Sequence, residues 1–390
     1  MSDRPKRKTA QLVVKISKYC NLRCSYCYEF KELANKQRMA LDDIRRMFVA
    51  MREHALASSL EDIEFVWHGG EPLLIPLDYY IAIQAIQKEV FPANLKVTNT
   101  TQTNLTILTD RHLDFLKTGG FFDGIGISFD VYGDQRVDAQ GKLRTDTILA
   151  NLRKLAQNGI QYGAITVLAR NTLGASRNIY RFWDKLGVSF RFLPFHLSAM
   201  ESQVDSHALT GEEIAMALNQ IFLDWLASDR ATPVEPIATY LRFATAYVSG
   251  AIDTSTFNRK TDEGVFVVNL DGGVFGIGAG EIYGPEYSYG NIFTDKLDAI
   301  LSSPGRQRVV AEADARMATY CHACPYWGYC PGDFVADASR EEIATLERSG
   351  CTVAKVLDHM TATLRKLDFG DALKAEQMPQ VENAALSVRL

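Results

Sequence analysis

Short apolar segments alternate with longer amphipathic segments over residues 11–195, and this alternation most constrains the fold of the chain. The apolar segments have the lengths of strands. The segments between them repeat apolar residues at helical spacing, as Leu41, Ile44 and Phe48 do. Strands separated by helices imply a parallel sheet with right-handed crossovers. Six such units favour an α/β fold built as a partial (β/α)6 barrel, with an open doubly wound sheet as the alternative. The predicted strands are QLVVKIS (11–17), EFVWH (64–68), KVTNTTQT (96–103), GIGISF (124–129), YGAITVL (162–168) and SFRFLPF (189–195).

The pattern changes after the sixth strand. Helical spacing returns over about 211–228 and 235–249. A glycine-rich segment over 263–281 predicts a hairpin that turns near 271–273, and further helical patterns flank Cys351. We therefore expect a flexible N-terminus (1–10), a barrel domain (11–200), a helical linker (201–260), a second domain that carries cysteines (261–370) and a polar tail (371–390).

Composition excludes several classes of partner. The 390 residues are 47% apolar and 23% charged, with 42 Lys and Arg against 47 Asp and Glu, which leaves a net charge of −5. This balance argues against nucleic acid as a partner. The chain has neither a signal-peptide pattern nor an apolar stretch long enough to span a membrane. We expect a cytoplasmic protein with no membrane partner.

Three of the seven cysteines, Cys20, Cys24 and Cys27, form a first cysteine group with the spacing C-x3-C-x2-C directly after the first strand. Three thiolates can hold three irons of a cubane cluster and leave the fourth iron open. One alternative is a zinc site, which would need a fourth ligand; the nearest histidine is His54, on a predicted helix. Another alternative is a set of buried, inert thiols.

The segment CNLRCSYCY resembles the signature of the radical S-adenosylmethionine (SAM) superfamily. The resemblance implies a partial (β/α)6 TIM-like barrel and a [4Fe–4S] cluster whose open iron binds the amino and carboxylate groups of SAM. It also implies that the reduced cluster cleaves SAM to a 5′-deoxyadenosyl radical, which abstracts a hydrogen atom.

The second strand ends in WHGGEP. Gly69 and Gly70 allow a close approach of backbone, and the carboxylate of Glu71 can accept a hydrogen bond from an ammonium group. A plain turn also fits these residues. After strand two of this barrel, they resemble the GGEP motif that holds the SAM amino group in the superfamily.

Other strand ends carry matching side chains. Asn104 closes a Gln-Thr-Asn segment like that of relatives, and Ser128 stands where a relative's serine meets the ribose or carboxylate of SAM. Tyr26 and Leu193 match positions that contact the adenosine part. Ordinary packing is the alternative interpretation of Ser128, Tyr26 and Leu193.

The arginine that meets the SAM carboxylate in relatives has no direct counterpart. Its usual position falls near Gln140. We expect Arg136 to take this role, with Arg144 as the alternative.

The remaining cysteines form a second cysteine group, in which C-x2-C-x5-C is followed twenty residues later by the last cysteine. Four thiolates can close a cluster completely, and structural zinc is the alternative. The arrangement resembles the SPASM extension of radical SAM peptide maturases, specifically its outer auxiliary [4Fe–4S] cluster. This second group is Cys321, Cys324, Cys330 and Cys351.

The inner auxiliary cluster of a full SPASM domain has no ligands here. Phe334 and Ile277 stand where its cysteines would be expected. We therefore predict one SAM cluster and one auxiliary cluster. Relatives that oxidise a sulfatase Cys or Ser carry an aspartate directly after the hairpin cysteine, whereas this chain has Gly278, which weakens the sulfatase-maturase interpretation.

The resemblance implies an enzyme that abstracts a side-chain hydrogen, usually at Cβ, from a ribosomally made precursor peptide (RiPP) and forms a cyclophane-type carbon–carbon crosslink. Formylglycine formation by a sulfatase-maturase-like oxidase is the alternative, and a non-catalytic zinc protein is the interpretation from another class. Glu281, Asp333 and Tyr329 are candidates for handling the proton.

The expected partners are the precursor peptide and a reductant such as flavodoxin or ferredoxin. Because the barrel begins at about residue 11, we expect no peptide-binding domain before it. The leader would use a sheet edge, a groove beside the second domain or a separate leader-recognition protein.

Overall fold

The strands of the protein form one sheet. The computed structural model describes residues 9–117, 120–195, 201–251, 256–277 and 284–367. The strands are β1 (Thr9–Ser17), β2 (Asp62–Gly69), β3 (Lys96–Thr103), β4 (Gly124–Ser128), β5 (Gly163–Leu168), β6 (Phe190–Pro194), β7 (Val234–Glu235), β8 (Val265–Val268), β9 (Gly273–Gly276) and β10 (Gly290–Asn291).

The order of strands is β10-β9-β8-β1-β2-β3-β4-β5-β6-β7. Strands β1 to β6 are parallel and lie beside one another in chain order. A doubly wound sheet would reverse direction at an internal strand. The order never reverses from β1 to β6, and this agrees with the predicted partial barrel and not with the open-sheet alternative.

The predicted helices are present between these strands and after them. Within the described segments, no helix combines the length and apolarity that crossing a membrane requires. The helices are α1 (Leu41–Ser58), α2 (Leu77–Val90), α3 (Asp110–Lys117), α4 (Thr145–Gln157), α5 (Arg170–Leu173), α6 (Ser176–Leu186), α7 (Glu201–His207), α8 (Gly211–Leu226), α9 (Ile237–Ser249), α10 (Arg259–Asp262), α11 (Leu297–Leu301), α12 (Pro304–Tyr320), α13 (Asp333–Ala336), α14 (Arg340–Ser349) and α15 (Thr352–Lys366).

The two faces of the sheet have different roles because side chains alternate along each strand. Leu12, Phe65 and Trp67 face the helices and are fully buried with Phe48 of α1. Burying each such side chain stabilises the fold by roughly 2–3 kcal/mol. The opposite face lines the inside of the barrel. Apart from Leu193 on β6, the motif residues predicted in the sequence to hold SAM and its cluster lie at the ends of β1 to β4 or in the loops directly after them.

The predicted hairpin consists of β8 and β9, which pair antiparallel. Gly272 turns it with a φ of 89°, a conformation that glycine adopts without strain. Strand β8 also pairs in parallel with β1. The hairpin therefore extends the barrel sheet and holds the second half of the chain against the strand that leads into the first cysteine group.

The sequence interpretation missed α12, which precedes the second cysteine group. Its apolar residues are sparse, and Val309, Ala313 and Met317 carry its buried face. Its start has a recognisable signal: Ser303 caps the helix by accepting from the backbone N–H of Arg306, and a proline occupies the first turn. The cap could have predicted the helix where the apolar periodicity did not.

Candidate active site

The first cysteine group lies on the loop that leaves β1. Cys20 and Cys24 are buried and Cys27 is half-buried. Burial is the main cause that raises the pKa of Cys20 and of Cys27 to about 12; the charges of Glu71 and Cys24 add to it at Cys20, and the charge of Cys24 adds to it at Cys27. The three sulfurs thus lie close together in a poorly solvated loop, where thiolates need compensation by a metal or by hydrogen-bond donors. The donor set fits a cluster with three cysteine ligands.

Gly69 and Gly70 pack against the start of this loop. The N–H of Gly70 donates to the carbonyl oxygen of Ser17 (2.8 Å), and the N–H of Glu71 donates to that of Tyr19 (2.9 Å). A Cβ on either glycine would overlap a backbone carbonyl of this segment, and Gly69 has a φ of 109°. The predicted close approach of backbone exists, and the backbone approached is the one that carries the cysteines.

Glu71 joins β2 to β3. Its buried carboxylate accepts hydrogen bonds from Thr103 Oγ1 (2.6 Å) and from the backbone N–H groups of Asn104 (2.7 Å) and Leu73 (2.9 Å). Burial raises the pKa of Glu71, and these hydrogen bonds oppose that rise. The carboxylate therefore organises two strand ends of the site, and contact with the SAM amino group remains a prediction.

Asn104 contacts the first cysteine group directly. Its Nδ2 lies 3.6 Å from Cys20 Sγ and 3.1 Å from the side-chain oxygen of Asn21. Its Oδ1 accepts from the backbone N–H of Thr106 (2.9 Å), which settles which way the amide points. The end of β3 thus supplies a hydrogen-bond donor to a cysteine sulfur.

Arg136 is buried at the centre of a polar network beyond β4. It pairs with Asp130 (3.0 Å), which also accepts from the hydroxyl of Tyr26, and its Nη1 lies 3.7 Å from Cys24 Sγ. Its Nε is buried without a hydrogen-bond partner in the described structure.

Ser128 lies at the end of β4 and accepts a hydrogen bond from Gln102 Nε2 (2.7 Å). The sequence interpretation did not select Asp130, although it follows Ser128 by two residues.

Arg144 has a different environment. Its guanidinium pairs with Asp138 at 2.7 Å and is about one-third exposed. Of the two candidate arginines, Arg136 is the one in contact with the first cysteine group.

Helix α7 packs over the cysteine loop and was not predicted. Gln203 Nε2 donates to the carbonyl oxygens of Ser25 (2.7 Å) and Cys27 (3.1 Å). His207 Nε2 lies 2.9 Å from Ser25 Oγ, and the His207 ring meets that of Tyr26 edge-on at 6.2 Å. The helix has seven residues, too few for helical periodicity to reveal it.

Leu193 is half-buried on β6, where it pairs in register with Val167. Leu193 and Tyr26 remain predicted adenosine contacts.

The second cysteine group surrounds one cavity. Trp327 and Phe334 also line it. Burial, together with the charges of Cys351 and Cys324, raises the pKa of Cys321 to about 12. The described side chains include no group of three or more that closes on a single metal ion. The four sulfurs instead enclose an apolar volume, a donor set that fits an auxiliary cluster. These cysteines are Cys321, Cys324, Cys330 and Cys351.

The two positions expected for inner-cluster cysteines are both used for packing. Ile277 packs against the apolar patch of Val13, Val66 and Val265 on the inner face of the sheet. Phe334 packs edge-on against Tyr240 at 5.2 Å. The absence of the inner cluster remains a prediction.

The predicted proton-handling residues lie in different surroundings. Asp333 lies close enough to the second cysteine group for its charge to add to burial in raising the pKa of Cys321 and the pKa of Cys330. The ring of Tyr329 packs edge-on against Tyr247 at 5.2 Å. Glu281 and Gly278 lie outside the described residues.

Comparison with known proteins agrees with this geometry. Residues 14–181 match the family model of the radical SAM superfamily. The segment that forms the barrel strands β1 to β5 is therefore similar to a radical SAM domain.

Similar curated proteins include sulfatase-maturating enzymes. The serine-type anaerobic sulfatase-maturating enzyme of Bacteroides thetaiotaomicron is 22% identical over 84% of this chain and 83% of its own length. The cysteine-type enzyme of Clostridium novyi is 26% identical over 56% of this chain, and the match spans 60% of that relative.

Solved structures with a similar fold include native anSMEcpe with bound AdoMet and the Cp18Cys peptide. It has a TM-score of 0.73 and 19% identity, over 94% of this chain and 99% of that one. Streptococcus suis SuiB bound to S-adenosylmethionine has a TM-score of 0.57 and 14% identity, over 85% of this chain and 75% of that one. At these identities the likeness concerns the fold.

Proposed function

We propose that this enzyme is a cytoplasmic peptide maturase that forms an intramolecular carbon–carbon crosslink, of the cyclophane type, in a ribosomally made precursor peptide. The observation that carries the proposal is the combination of two cysteine groups with the loss of the inner-cluster positions to Ile277 and Phe334. The sulfatase-maturating relatives and the peptide-bound structure of similar fold support a peptide substrate.

The first cysteine group would hold the SAM cluster. When bound, SAM and this cluster supply an organic radical that removes one hydrogen atom from a side chain of the peptide. Gly69 and Gly70 hold the cysteine loop on the barrel, and Glu71 ties the neighbouring strand ends together. The unpartnered Nε of Arg136 is a buried donor for the SAM carboxylate.

The second cysteine group would hold the electron acceptor. Forming a crosslink removes two hydrogens from the peptide: one leaves as an atom, and the other leaves as a proton while its electron passes to the auxiliary cluster. Asp333, Tyr329 and Glu281 are the proposed proton acceptors, and Asp333 lies beside these cysteines. A flavodoxin or ferredoxin would supply the reducing electron. The leader peptide would bind at a sheet edge, in a groove beside the second domain or on a separate leader-recognition protein.

Anaerobic reconstitution tests the cofactors. We expect about eight irons per chain, four in each cluster, and cleavage of SAM under reduction. Cys24→Ala should retain about four irons and lose SAM cleavage, whereas Cys324→Ala should retain SAM cleavage and lose product. One bound zinc per chain without SAM cleavage would overturn the proposal.

Product mass and chemistry separate the two candidate reactions. The enzyme would be co-expressed with the short open reading frame beside its gene, and the peptide analysed by tandem mass spectrometry. We expect a product two hydrogens lighter that does not react with aldehyde reagents. A product that does react would be formylglycine and would establish the sulfatase-maturase alternative.

A further inference from the structure

Two of the cysteine sulfurs in the first cysteine group each face a side-chain hydrogen-bond donor. Asn104 Nδ2 lies 3.6 Å from Cys20 Sγ. Arg136 Nη1 lies 3.7 Å from Cys24 Sγ. Both are ordinary separations for hydrogen bonds to sulfur, which is larger than oxygen. The donors come from two different elements, one from the end of β3 and the other from the segment after β4.

The guanidinium of Arg136 is held in one orientation. Asp130 pairs with it at 3.0 Å, and both side chains are almost completely buried. The other carboxylate oxygen of Asp130 accepts from the backbone N–H of Val167 (2.8 Å), so the ion pair is anchored to β5. A positive charge is thus locked next to a cysteine sulfur in a poorly solvated site, where its field acts strongly.

The amide of Asn104 is equally constrained. Both the backbone N–H and the hydroxyl of Thr106 donate to its Oδ1, at 2.9 and 2.6 Å. Its Nδ2 must therefore point towards Cys20 and Asn21. The oxygen cannot exchange places with the nitrogen without breaking both bonds to Thr106.

We propose that Asn104 and Arg136 raise the reduction potential of the cluster held by the first cysteine group. Reduction adds one negative charge to a cluster and its thiolate ligands. Donors and positive charge at the sulfurs stabilise the reduced state more than the oxidised state. The inference deepens the proposed function, because it rests on the same cluster. It makes both residues positioning residues that act through Cys20 and Cys24.

The test is a redox titration of the anaerobically reconstituted enzyme, followed by electron paramagnetic resonance and performed without SAM. We expect Arg136→Gln and Asn104→Leu each to shift the midpoint potential to a more negative value, and the double variant to shift it further. Arg144→Gln is the matched control: it removes a positive charge from the same loop, where Arg144 pairs with Asp138 instead of a cysteine. Its potential should equal that of the wild type.

Iron content is measured for every variant, so that loss of the cluster is not mistaken for a shift. Arg136→Gln leaves Asp130 buried without its charge partner, which threatens folding. Asp130→Asn with Arg136→Gln removes both charges and retains amide groups that can pair, and it should also shift the potential downwards. Asn104→Leu leaves no buried charge behind, so it tests the inference independently of the arginine variants.

Full iron content with unchanged potentials in these variants would overturn the inference. SAM affinity, measured separately, distinguishes a second outcome: weaker SAM binding by Arg136→Gln at unchanged potential would assign the arginine to the cofactor alone. Failure of the proposed function would look different. It would give the expected potentials and no crosslinked peptide.

Discussion

Arg259 donates from Nη1 to a carboxylate oxygen of Asp337 2.6 Å away, and from Nη2 to the carbonyl oxygen of Ile277 2.7 Å away. These bonds join the end of the hairpin to the segment between Cys330 and Cys351. Ile277 and Phe334 mark the same two segments as the expected positions of inner-cluster ligands. An ion pair between buried Arg259 and half-buried Asp337 thus connects the parts of the chain that an inner cluster would otherwise link.

Arg259→Met should destabilise the protein by about 1–3 kcal/mol, because it leaves the half-buried carboxylate of Asp337 without its ion-pair partner. Glu263 retains Arg306 at 2.8 Å, so the loss should centre on the contact between the hairpin and the segment that contains Asp337. Chemical denaturation of the reconstituted enzyme measures the change. The control is Arg45→Met, which breaks an exposed, solvent-screened pair with Glu89 and should change stability much less. Equal effects of the two substitutions would contradict the assigned role.

Gly70→Ala should destabilise the protein by at least about 2–3 kcal/mol, because the added Cβ would overlap the carbonyl of Tyr19 and push the cysteine loop away from β2. We also expect loss of iron from the first cysteine group. Gly174→Ala is the matched control: its Cβ meets nothing within 4 Å. Thermal unfolding and iron content should show no loss for Gly174→Ala, and a fully loaded, stable Gly70→Ala enzyme would refute the packing argument.

His68 should make stability depend on pH. Burial, aided by the charge of Lys15, lowers the pKa of His68 from 6.5 to about 4. Its Nδ1 accepts the N–H of Gly69 at 2.8 Å and cannot hold a proton without losing that bond. Because the folded-state pKa is the lower one, the unfolded chain takes up the proton first as the pH falls. Stability is therefore complete above pH 6.5 and should decline by about 3 kcal/mol towards pH 4.

Denaturation curves of the wild type and of His68→Gln between pH 4 and 8 measure this contribution. Glutamine can still accept from Gly69 through its side-chain oxygen but does not titrate. The difference in unfolding free energy between the two proteins should change over the stated window. Parallel curves would mean that His68 is protonated equally easily in both states.

Gln203→Ala should loosen the cysteine loop, since it removes the donor to the carbonyl oxygens of Ser25 and Cys27. Each lost hydrogen bond leaves a backbone acceptor in a partly buried place and costs about 1 kcal/mol. Iron held by the first cysteine group should then be lost faster to a chelator, while iron held by the second group is retained. Gln307→Ala removes an exposed bond to the carbonyl oxygen of Ser302 and should leave both rates unchanged.

Local patterns in the sequence were sufficient to predict much of the fold. Strand and helix periodicities predicted the six parallel strands of the barrel, and glycines near 271–273 predicted the hairpin, because both signals depend on near neighbours. Helix α12 escaped because its buried face consists of few residues, and α7 escaped because it is short. The pairing of β8 with β1 joins residues about 250 apart, and no local pattern encodes it.

The sequence by itself determined the chemistry of this protein: two groups of cysteines at cluster spacing, a GGEP segment after strand two and the absence of inner-cluster cysteines. These follow from residue identity and spacing. Tertiary structure decided what surrounds the sulfurs. It brought Arg136 to Cys24, Asn104 to Cys20 and Arg259 to Asp337, contacts over 112, 84 and 78 residues. Such contacts depend on how strands and loops meet in space, and burial then gives a hydrogen bond or an ion pair its strength.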